Sequence, residues 1–363
     1  MPQTRTNRSA WQRLKKNKGA MFGLATICLS ILVAISCYFI STDRSTNANR
    51  MVVEIGGRKP GFSQLFLKIP IKNDPNINLF EQLLYGRPDV YQYVPINSYE
   101  LKGDSIIIQK YIDEGVAERQ YFSASKLNSA FPSLAYEIKR IHFWLGTDKY
   151  GRDILSRLLV GVRVSLAVGL VTVIISLTIG ILLGAIAGYF GGRIDEAVMW
   201  IINVIWSIPT LLLVFAITLL LGKGFWQVFI AIGLTMWVGV ARLIRGQVLS
   251  VRALEYVEAA RALGFSNGRI IFRHILPNVM GPVMVVAASN FASAIVIEAG
   301  LSFLGLGVQP PQPSWGLMIK ENYNFIITHN PMLALAPGLA IMLLVLAFNL
   351  LGNGLRDALE VRG

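Results

Sequence analysis

Long apolar runs constrain this chain more than any other feature of its sequence. Each is near the roughly 20 residues that an α-helix needs to cross the hydrocarbon core of a bilayer. With 53% hydrophobic and only 15% charged residues, the chain does not have the composition of a soluble protein. We therefore expect an all-α polytopic membrane protein with six transmembrane helices, over residues 20–40, 162–190, 197–222, 225–242, 278–304 and 333–352.

The distribution of basic residues predicts the orientation of these spans. Residues 1–19 form a basic tail, and the connection between the fourth and fifth runs is rich in arginine. The short connections on the other side carry only Lys223 and Lys320. Since Lys and Arg are enriched in cytoplasmic loops, both termini are expected in the cytoplasm. Basic cytoplasmic loops then account for the net charge of +13. The sequence has no interleaved basic and aromatic motif that would indicate nucleic-acid binding.

The long connection after the first run, residues 41–144, is expected to be an extracytoplasmic insertion. Tyr99–Leu101 and Ile106–Tyr111 flank Lys102-Gly103-Asp104, a pattern that predicts a β-hairpin. Several prolines favour short elements, so we predict a small α+β domain. The remaining residues, 145–363, would then form a five-helix core.

A polar segment, residues 250–277, separates the fourth and fifth runs. Ser250 is expected to cap a helix that Gly264 ends by supplying a left-handed residue. Ser266 is expected to cap a second short helix, and Pro277 suits the first turn of the apolar helix that follows.

The first of these two helices has a partly apolar surface that includes small side chains. One stripe at spacings of three and four residues consists of Ala253, Tyr256, Val257, Ala260 and Leu263. Small alanines would let another protein approach closely. From spacing alone, an ordinary cytoplasmic loop with a helical turn is an equal alternative.

Within the spans, a few residues indicate packing or a pathway. Gly180, Gly184 and Gly188 form a small-residue face that suits close helix packing, either within the chain or between chains. Pro209 is expected to kink the third span. Polar residues that would line a pathway, or form interhelical hydrogen bonds instead, are Asn203, Asn290 and Ser293.

Several kinds of chemistry have no support in the sequence. There is no glycine-rich P-loop, no HExxH and no G-x-S-x-G, and the three histidines are scattered at His142, His274 and His329. No predicted span carries an ionisable residue near its middle, as a proton relay would require. The chain is therefore expected to be no enzyme and to use an external energy source.

The polar segment resembles the EAA loop of ABC importer membrane subunits, through Glu258-Ala259-Ala260, Gly264 and Leu276-Pro277. In that family the loop forms a helix that docks onto the ATP-hydrolysing subunit. The peptide-importer branch often carries a histidine where this chain has His274. The resemblance implies a coupling set of Glu258, Ala259, Ala260, Arg261, Gly264, His274, Leu276 and Pro277.

Three other stretches look like those of peptide and nickel importer permeases. They are LGTDKYGRDILSRLL at Leu145–Leu159, EAGLSFLGLGV at Glu298–Val308 and LGNGLRDAL at Leu351–Leu359. The resemblance implies a type I ABC importer permease fold in the cytoplasmic (inner) membrane of a bacterium. It also implies a second, homologous permease, two ATPases that bind ATP and Mg, and an extracytoplasmic solute-binding protein, with no cofactor in this chain.

The function expected on this basis is translocation of dipeptides or oligopeptides by alternating access, coupled to the partner ATPases. The pathway candidates are Asn203, Pro209, Asn290 and Ser293. The insertion would serve either as a packing lid or as a contact for the solute-binding protein. Alternatives are a permease for nickel or another small solute, a stand-alone secondary transporter, and a membrane receptor or scaffold.

Overall fold

The computed structural model describes residues 3–73, 75–103, 105–123, 136–222, 224–328 and 330–359, without the side chains of residues 3–9 and 328. Lys223, His329 and Asp104 of the expected hairpin turn lie outside the described residues. The described helices are α1 Gln3–Lys16, α2 Lys18–Ile40, α3 Leu79–Tyr85, α4 Ile154–Phe190, α5 Gly192–Trp206, α6 Thr210–Leu221, α7 Phe225–Val251, α8 Glu255–Ala262, α9 Asn267–Ile270, α10 Leu276–Leu304, α11 Trp315–Asn322, α12 Phe325–Thr328 and α13 Met332–Leu359.

The chain divides into two compact units. The first, called the core unit here, comprises Met1–Ile31, Ser165–Gln309 and Ala340–Gly363. The second, called the sheet unit, comprises Leu32–Val164 and Pro310–Leu339. Three of the four boundaries between these units fall inside α2, α4 and α13, and the fourth lies between Gln309 and Pro310, outside any helix.

The prediction of a polytopic helical membrane protein is confirmed. Among the described residues, five helical segments are long and apolar enough to span a bilayer, and α5 with α6 makes a sixth if the bent pair counts as one span. The second span begins earlier than expected, at Ile154, and the helix of the fourth continues to Val251. Ser250 therefore lies inside α7, where its hydroxyl donates to the carbonyl of Gly246, and its predicted role as a helix cap is wrong.

The third predicted span is broken at Pro209. The axes of α5 and α6 meet at 91° across a gap of three residues, Ser207 to Pro209. Proline has no backbone N–H and fixes φ, so α5 ends before it and α6 begins directly after it. The predicted kink is confirmed, and it is a full break.

The glycine face of α4 packs within the chain. A Cβ on Gly184 would lie 2.5 Å from the carbonyl oxygen of Ala241, and one on Gly180 would lie 2.5 Å from Cβ of Val240. A Cβ on Gly188 would lie 2.8 Å from the carbonyl oxygen of Arg245. The three glycines therefore allow α4 and α7 to cross closely, so this face packs within the chain and not between chains.

The sheet unit holds a five-stranded antiparallel sheet in the order β4-β3-β2-β1-β5. The strands are β1 Phe62–Pro70, β2 Tyr91–Lys102, β3 Ser105–Asp113, β4 Val116–Ser123 and β5 Glu137–Phe143. The predicted hairpin is confirmed as β2 and β3, with Leu101 opposite Ile106. Apolar residues alternate between two faces, so the sheet has a buried cluster on each side.

Candidate functional site

The predicted coupling segment folds into a short exposed helix held by an apolar inner face. Helix α8 begins after Leu254 and ends at Ala262, and Gly264, two residues beyond, has a φ of +77° that confirms the predicted left-handed stop. Val257 and Ala260 are buried, at 0% and 4% exposure, in the apolar cluster of the core unit. Only these two residues of the predicted stripe point inward.

The other three members of that stripe lie at the surface, so the stripe is only partly buried. Ala253 is exposed, Tyr256 is 41% exposed and Leu263 is 74% exposed. Ala253 precedes the helix, so helical spacing does not relate it to Val257, whereas Tyr256 lies in the first turn and Leu263 follows the last one, with its N–H still bonded to the carbonyl of Ala259.

The outward side of this segment carries both charge and apolar surface. Glu258 and Ala259 are exposed, and so is Arg261, whose guanidinium lies 5.6 Å from the ring of Tyr189. Large apolar side chains exposed within 19 residues of one another are Leu254, Tyr256, Leu263 and Phe272. Several exposed apolar side chains in one short segment suit a protein contact site.

The segment after α8 leads directly into the fifth span. The hydroxyl of Ser266 accepts a hydrogen bond of 3.4 Å from the backbone N–H of Arg269, which confirms the predicted cap of α9. Ile271–Ile275 then forms one π-helical turn that joins α9 to α10 without a break. Pro277 lies in the first turn of α10, as predicted, and Leu276 is partly buried.

Tyr256 ties α8 to the start of α10. Its hydroxyl accepts a hydrogen bond of 2.9 Å from Nδ2 of Asn278, and the same Nδ2 donates to the carbonyl of His274 at 2.7 Å. The ring of His274 stacks on Phe265, with ring centroids 5.8 Å apart. Neither Tyr256 nor Asn278 was among the residues predicted for coupling, although Asn278 directly follows Leu276-Pro277.

The far end of α4 is also fixed to this region. Arg252 donates from Nη1 to the carbonyls of Gly188 and Tyr189, each at 2.9 Å, and so satisfies the last turn of α4. The hydroxyl of Tyr189 donates to Oδ1 of Asn267 at 2.9 Å. The start of α9 is therefore held by the end of α4.

The break between α5 and α6 borders a cleft of about 280 Å³ in the core unit. Ser293 of α10 lines this cleft together with residues on both sides of Pro209, including Trp206, Ile208 and Thr210. The facing wall comes from α7 and includes Thr235. The structure thus brings Ser293 and the Pro209 break together around one space.

The two asparagines predicted for the pathway are placed differently. Asn203 accepts a hydrogen bond of 2.9 Å from Nη2 of Arg242 and does not line the cleft. Asn290 also lies outside the lining, and its Nδ2 is buried with no hydrogen-bond partner among the described residues. Arg242 was missed because the fourth span was predicted to end there and because its partner Trp206 belongs to a different helix.

Comparison with known proteins connects these features to one family. A family model described as the binding-protein-dependent transport system inner membrane component matches residues 180–362. The chain belongs to this family. A second model, the N-terminal TM domain of oligopeptide transport permease C, matches residues 7–52. The resemblance to peptide-importer permeases is confirmed.

Individual relatives are transport permeases. The glutathione transport system permease protein GsiD of Pectobacterium atrosepticum is 43% identical over 66% of this chain and 77% of its own length. The dipeptide permease DppC of Alkalihalophilus pseudofirmus is 46% identical and the oligopeptide permease OppC of Bacillus subtilis 42% identical, each over 60% of this chain and 71% of its own. A structure of the inward-facing MetNI methionine ABC transporter aligns with 56% of this chain and 97% of its own, at 20% identity and a TM-score of 0.47.

Proposed function

We propose that this chain is a permease subunit that moves dipeptides or oligopeptides across the inner membrane by alternating access, driven by separate ATPase subunits. The observation that carries the proposal is helix α8, which is anchored through Val257 and Ala260 while Glu258, Ala259 and Leu263 stay exposed. An exposed helix with a buried anchor can transmit a displacement from a partner to the helices beneath it. The relatives named for dipeptides, oligopeptides and glutathione support the substrate class.

The contacts of α8 define a route from the docking surface to the cleft. Val257 and Ala260 pack in the cluster that contains Ile275 and Val279 at the start of α10. Tyr256 adds the hydrogen bond to Asn278. Since α10 is one helix from Leu276 to Leu304, a tilt at its start would also displace Ser293 in the cleft.

The break at Pro209 gives the cleft a wall that can move. Pro209 has no backbone N–H, so the ladder of helical hydrogen bonds is interrupted there, while the N–H groups of Ser207 and Ile208 bond back to the carbonyls of Asn203 and Ile205 in α5. The cleft is lined by neutral groups, with hydroxyls from Thr210, Thr235 and Ser293 among apolar side chains. Neutral polar groups of this kind suit peptides of varied sequence, whose selection would fall to a solute-binding protein.

The complex that this function requires has further subunits. A second permease of the same family would complete the pathway, and two ATPases would bind ATP and Mg and dock on the coupling segments. Both termini and α8 would lie in the cytoplasm. The insertion would face the other side, where the solute-binding protein delivers its ligand.

A charge reversal on the docking surface tests the coupling. Glu258→Arg with Leu263→Asp should reduce co-purification of the ATPase subunits and ATP-driven uptake of a labelled dipeptide at least tenfold, with unchanged amounts of the chain in the membrane. Glu196→Arg is the matched control, because Glu196 is also an exposed glutamate near the start of a helix in the core unit. Normal ATPase binding and uptake by the double variant would show that α8 is not the docking helix.

The substrate class has its own test. The reconstituted complex should accumulate a labelled dipeptide or tripeptide when ATP is supplied and should not accumulate Ni²⁺. Accumulation of Ni²⁺ without peptide would assign the chain to the small-solute alternative.

A further inference from the structure

The sheet unit contains a cavity of about 590 Å³ that has no part in the proposed transport route. This volume falls within the range of about 300 to 1,000 Å³ that is common for small-molecule sites. Its wall is built from the residues that follow α2, from the loop before β2, and from strands β1, β2 and β5. These segments are far apart in sequence and meet only in the folded sheet unit.

The wall of this cavity is strongly cationic. The only carboxylate in its lining is Asp89. Six cationic residues line it: Arg44, Arg50, Lys68, Arg87, Lys139 and Arg140. Two carboxylates outside the lining compensate part of this charge, since Asp43 pairs with Arg50 and Glu137 with Lys68. Positive charge remains in excess, and Lys139 and Arg140 form no ion pair with any other residue that the structure describes.

Sheet register explains why two of these cations share one face of the sheet, whereas Arg140, the next residue along β5, alternates to the other face. Lys68 of β1 lies opposite Tyr93 of β2 and Glu137 of β5, so Lys139, two residues along β5, is its diagonal neighbour on the same face. Two aromatic rings support these cations. The Arg50 guanidinium lies 3.8 Å from the ring of Tyr93, and Nζ of Lys68 lies 4.4 Å from that of Tyr91.

The hydroxyl of Tyr93 adds a neutral polar group to this wall. Burial raises its pKa to about 12, so the side chain stays uncharged at neutral pH. The cavity therefore offers guanidinium, ammonium and hydroxyl groups together, the set that binds a phosphate or another compact oxyanion.

The position of the cavity along the chain places it at a membrane surface. Helix α2, a candidate span, ends at Ile40, and the residues that follow it directly, Ser41, Thr42 and Arg44, line the cavity. Ile40 and Trp144, which also line it, are 61% and 62% exposed. Exposed aliphatic and tryptophan side chains beside basic residues are typical of the boundary between acyl chains and headgroups.

We propose that this cavity binds the phosphate of an anionic phospholipid headgroup in the leaflet at which α2 ends. Lys139, on the same sheet face as Lys68, supplies charge that the protein's own carboxylates leave uncompensated. Arg44 approaches from the end of the span, while Ile40 and Trp144 face the acyl region of the lipid. This assignment rests on α2 as a span and is independent of the peptide substrate and of coupling through α8.

The test uses the full chain in nanodiscs that contain phosphatidylcholine with a small fraction of phosphatidylglycerol. Native mass spectrometry measures how much phosphatidylglycerol stays on the protein after release. Lys139→Gln should lower this retention about fivefold, the factor expected when one basic residue near a headgroup is lost. The control, Lys102→Gln, removes one exposed charge from the end of β2 and should leave retention unchanged.

A second measurement separates a lipid from a soluble anion and detects misfolding. Phosphatidylglycerol should raise the thermal unfolding temperature of the parent chain and of the control. It should not raise the unfolding temperature of Lys139→Gln, even where that variant unfolds at the same temperature as the parent chain without the lipid. Soluble glycerol phosphate at millimolar concentration should not reproduce the shift.

Three results would overturn the assignment. Equal retention of phosphatidylglycerol by the parent chain and Lys139→Gln would show that the cavity does not hold the lipid. Full stabilisation by glycerol phosphate would identify a soluble phosphate as the ligand. Loss of peptide uptake with unchanged lipid retention would identify the cavity as a contact for a partner protein.

Discussion

The guanidinium of Arg242 lies over the ring of Trp206, with its central carbon 3.6 Å from the ring centroid. Nη2 of the same arginine donates to Oδ1 of Asn203 at 2.9 Å. Arg242 belongs to α7, whereas Trp206 is the last residue of α5, directly before the break at Pro209. One side chain of α7 thus holds the end of the helix whose angle to α6 shapes the cleft.

The first prediction concerns this pair. Trp206→Leu and Arg242→Lys should each lower the free energy of unfolding, and a double-mutant cycle should give a coupling of about 0.5 to 1 kcal/mol, as for partly exposed cation–π pairs. Lysine is chosen because it keeps the charge but loses the planar group. Chemical denaturation of the detergent-purified chain measures the effect.

Trp200→Leu serves as the control, since Trp200 is an exposed tryptophan on the same helix. Its coupling to Arg242→Lys should be close to zero. A coupling as large as that of Trp206 would mean that Arg242 acts on α5 generally and not through the stacked ring.

Local signals in the sequence were sufficient for several features around this site. Proline has no N–H, so Pro209 predicted the break, and glycine tolerates a positive φ, so Gly264 predicted the end of α8. Ser266 was found as a cap because its hydroxyl acts on a residue only three positions away. Each of these depends on the chain within one or two helical turns.

Features that depend on distant contacts were not predicted. Arg242 and Arg245 suggested the end of a span, yet α7 continues past both. Arg242 contacts Trp206 and Asn203 of α5, and Arg245 forms an ion pair with Asp195 of the same helix. Ser250 has the composition of a cap, but the continued helix makes it an interior residue. The cationic cavity was missed for a similar reason, since the register of β1, β2 and β5 brings its residues together.

The second prediction concerns the close crossing of α4 and α7. Gly184→Ala should lower the free energy of unfolding by about 1 to 3 kcal/mol, because its Cβ would lie 2.5 Å from the carbonyl oxygen of Ala241 and 2.9 Å from Cβ of Ile244. Gly239→Ala in α7 is the control, since nothing lies within 4 Å of a Cβ there. It should be neutral or stabilise by up to about 1 kcal/mol. Equal effects in thermal unfolding would mean that the crossing is looser than the structure shows.

The third prediction is a pH dependence that arises from Asp153, the residue before α4. Burial raises the pKa of its carboxyl to about 6, while its Oδ2 accepts a hydrogen bond of 3.2 Å from the backbone N–H of Ser156. The folded chain therefore keeps a proton that the unfolded chain loses near pH 4. The free energy of unfolding should fall as the pH rises from about 4 to about 6, by at most about 3 kcal/mol, and then level off.

Asp153→Asn should remove this dependence of the free energy of unfolding on pH. The helix should keep its N-terminal cap, since asparagine caps as well as aspartate. Glu118→Gln, at an exposed carboxylate of β4, should leave the slope unchanged. The measurement is the thermal unfolding temperature between pH 4 and pH 8. An unaltered slope in Asp153→Asn would assign the pH dependence to another group.

The fourth prediction separates the anchor of α8 from its docking surface. Val257 has no exposed surface and packs in the core cluster, so Val257→Ala should destabilise the isolated chain by about 1 to 2 kcal/mol, given roughly 0.8 kcal/mol for each buried methylene. Leu263 is 74% exposed, so Leu263→Ala should change the stability of the isolated chain by less than about 0.5 kcal/mol. In the assembled complex, Leu263→Ala should weaken ATPase binding more than Val257→Ala does, because Leu263 presents apolar surface to a partner and Val257 does not. Thermal unfolding of the chain and co-purification of the ATPase subunits measure the two effects. If the Leu263→Ala chain is stable and binds the ATPases normally, Leu263 is not part of the docking surface.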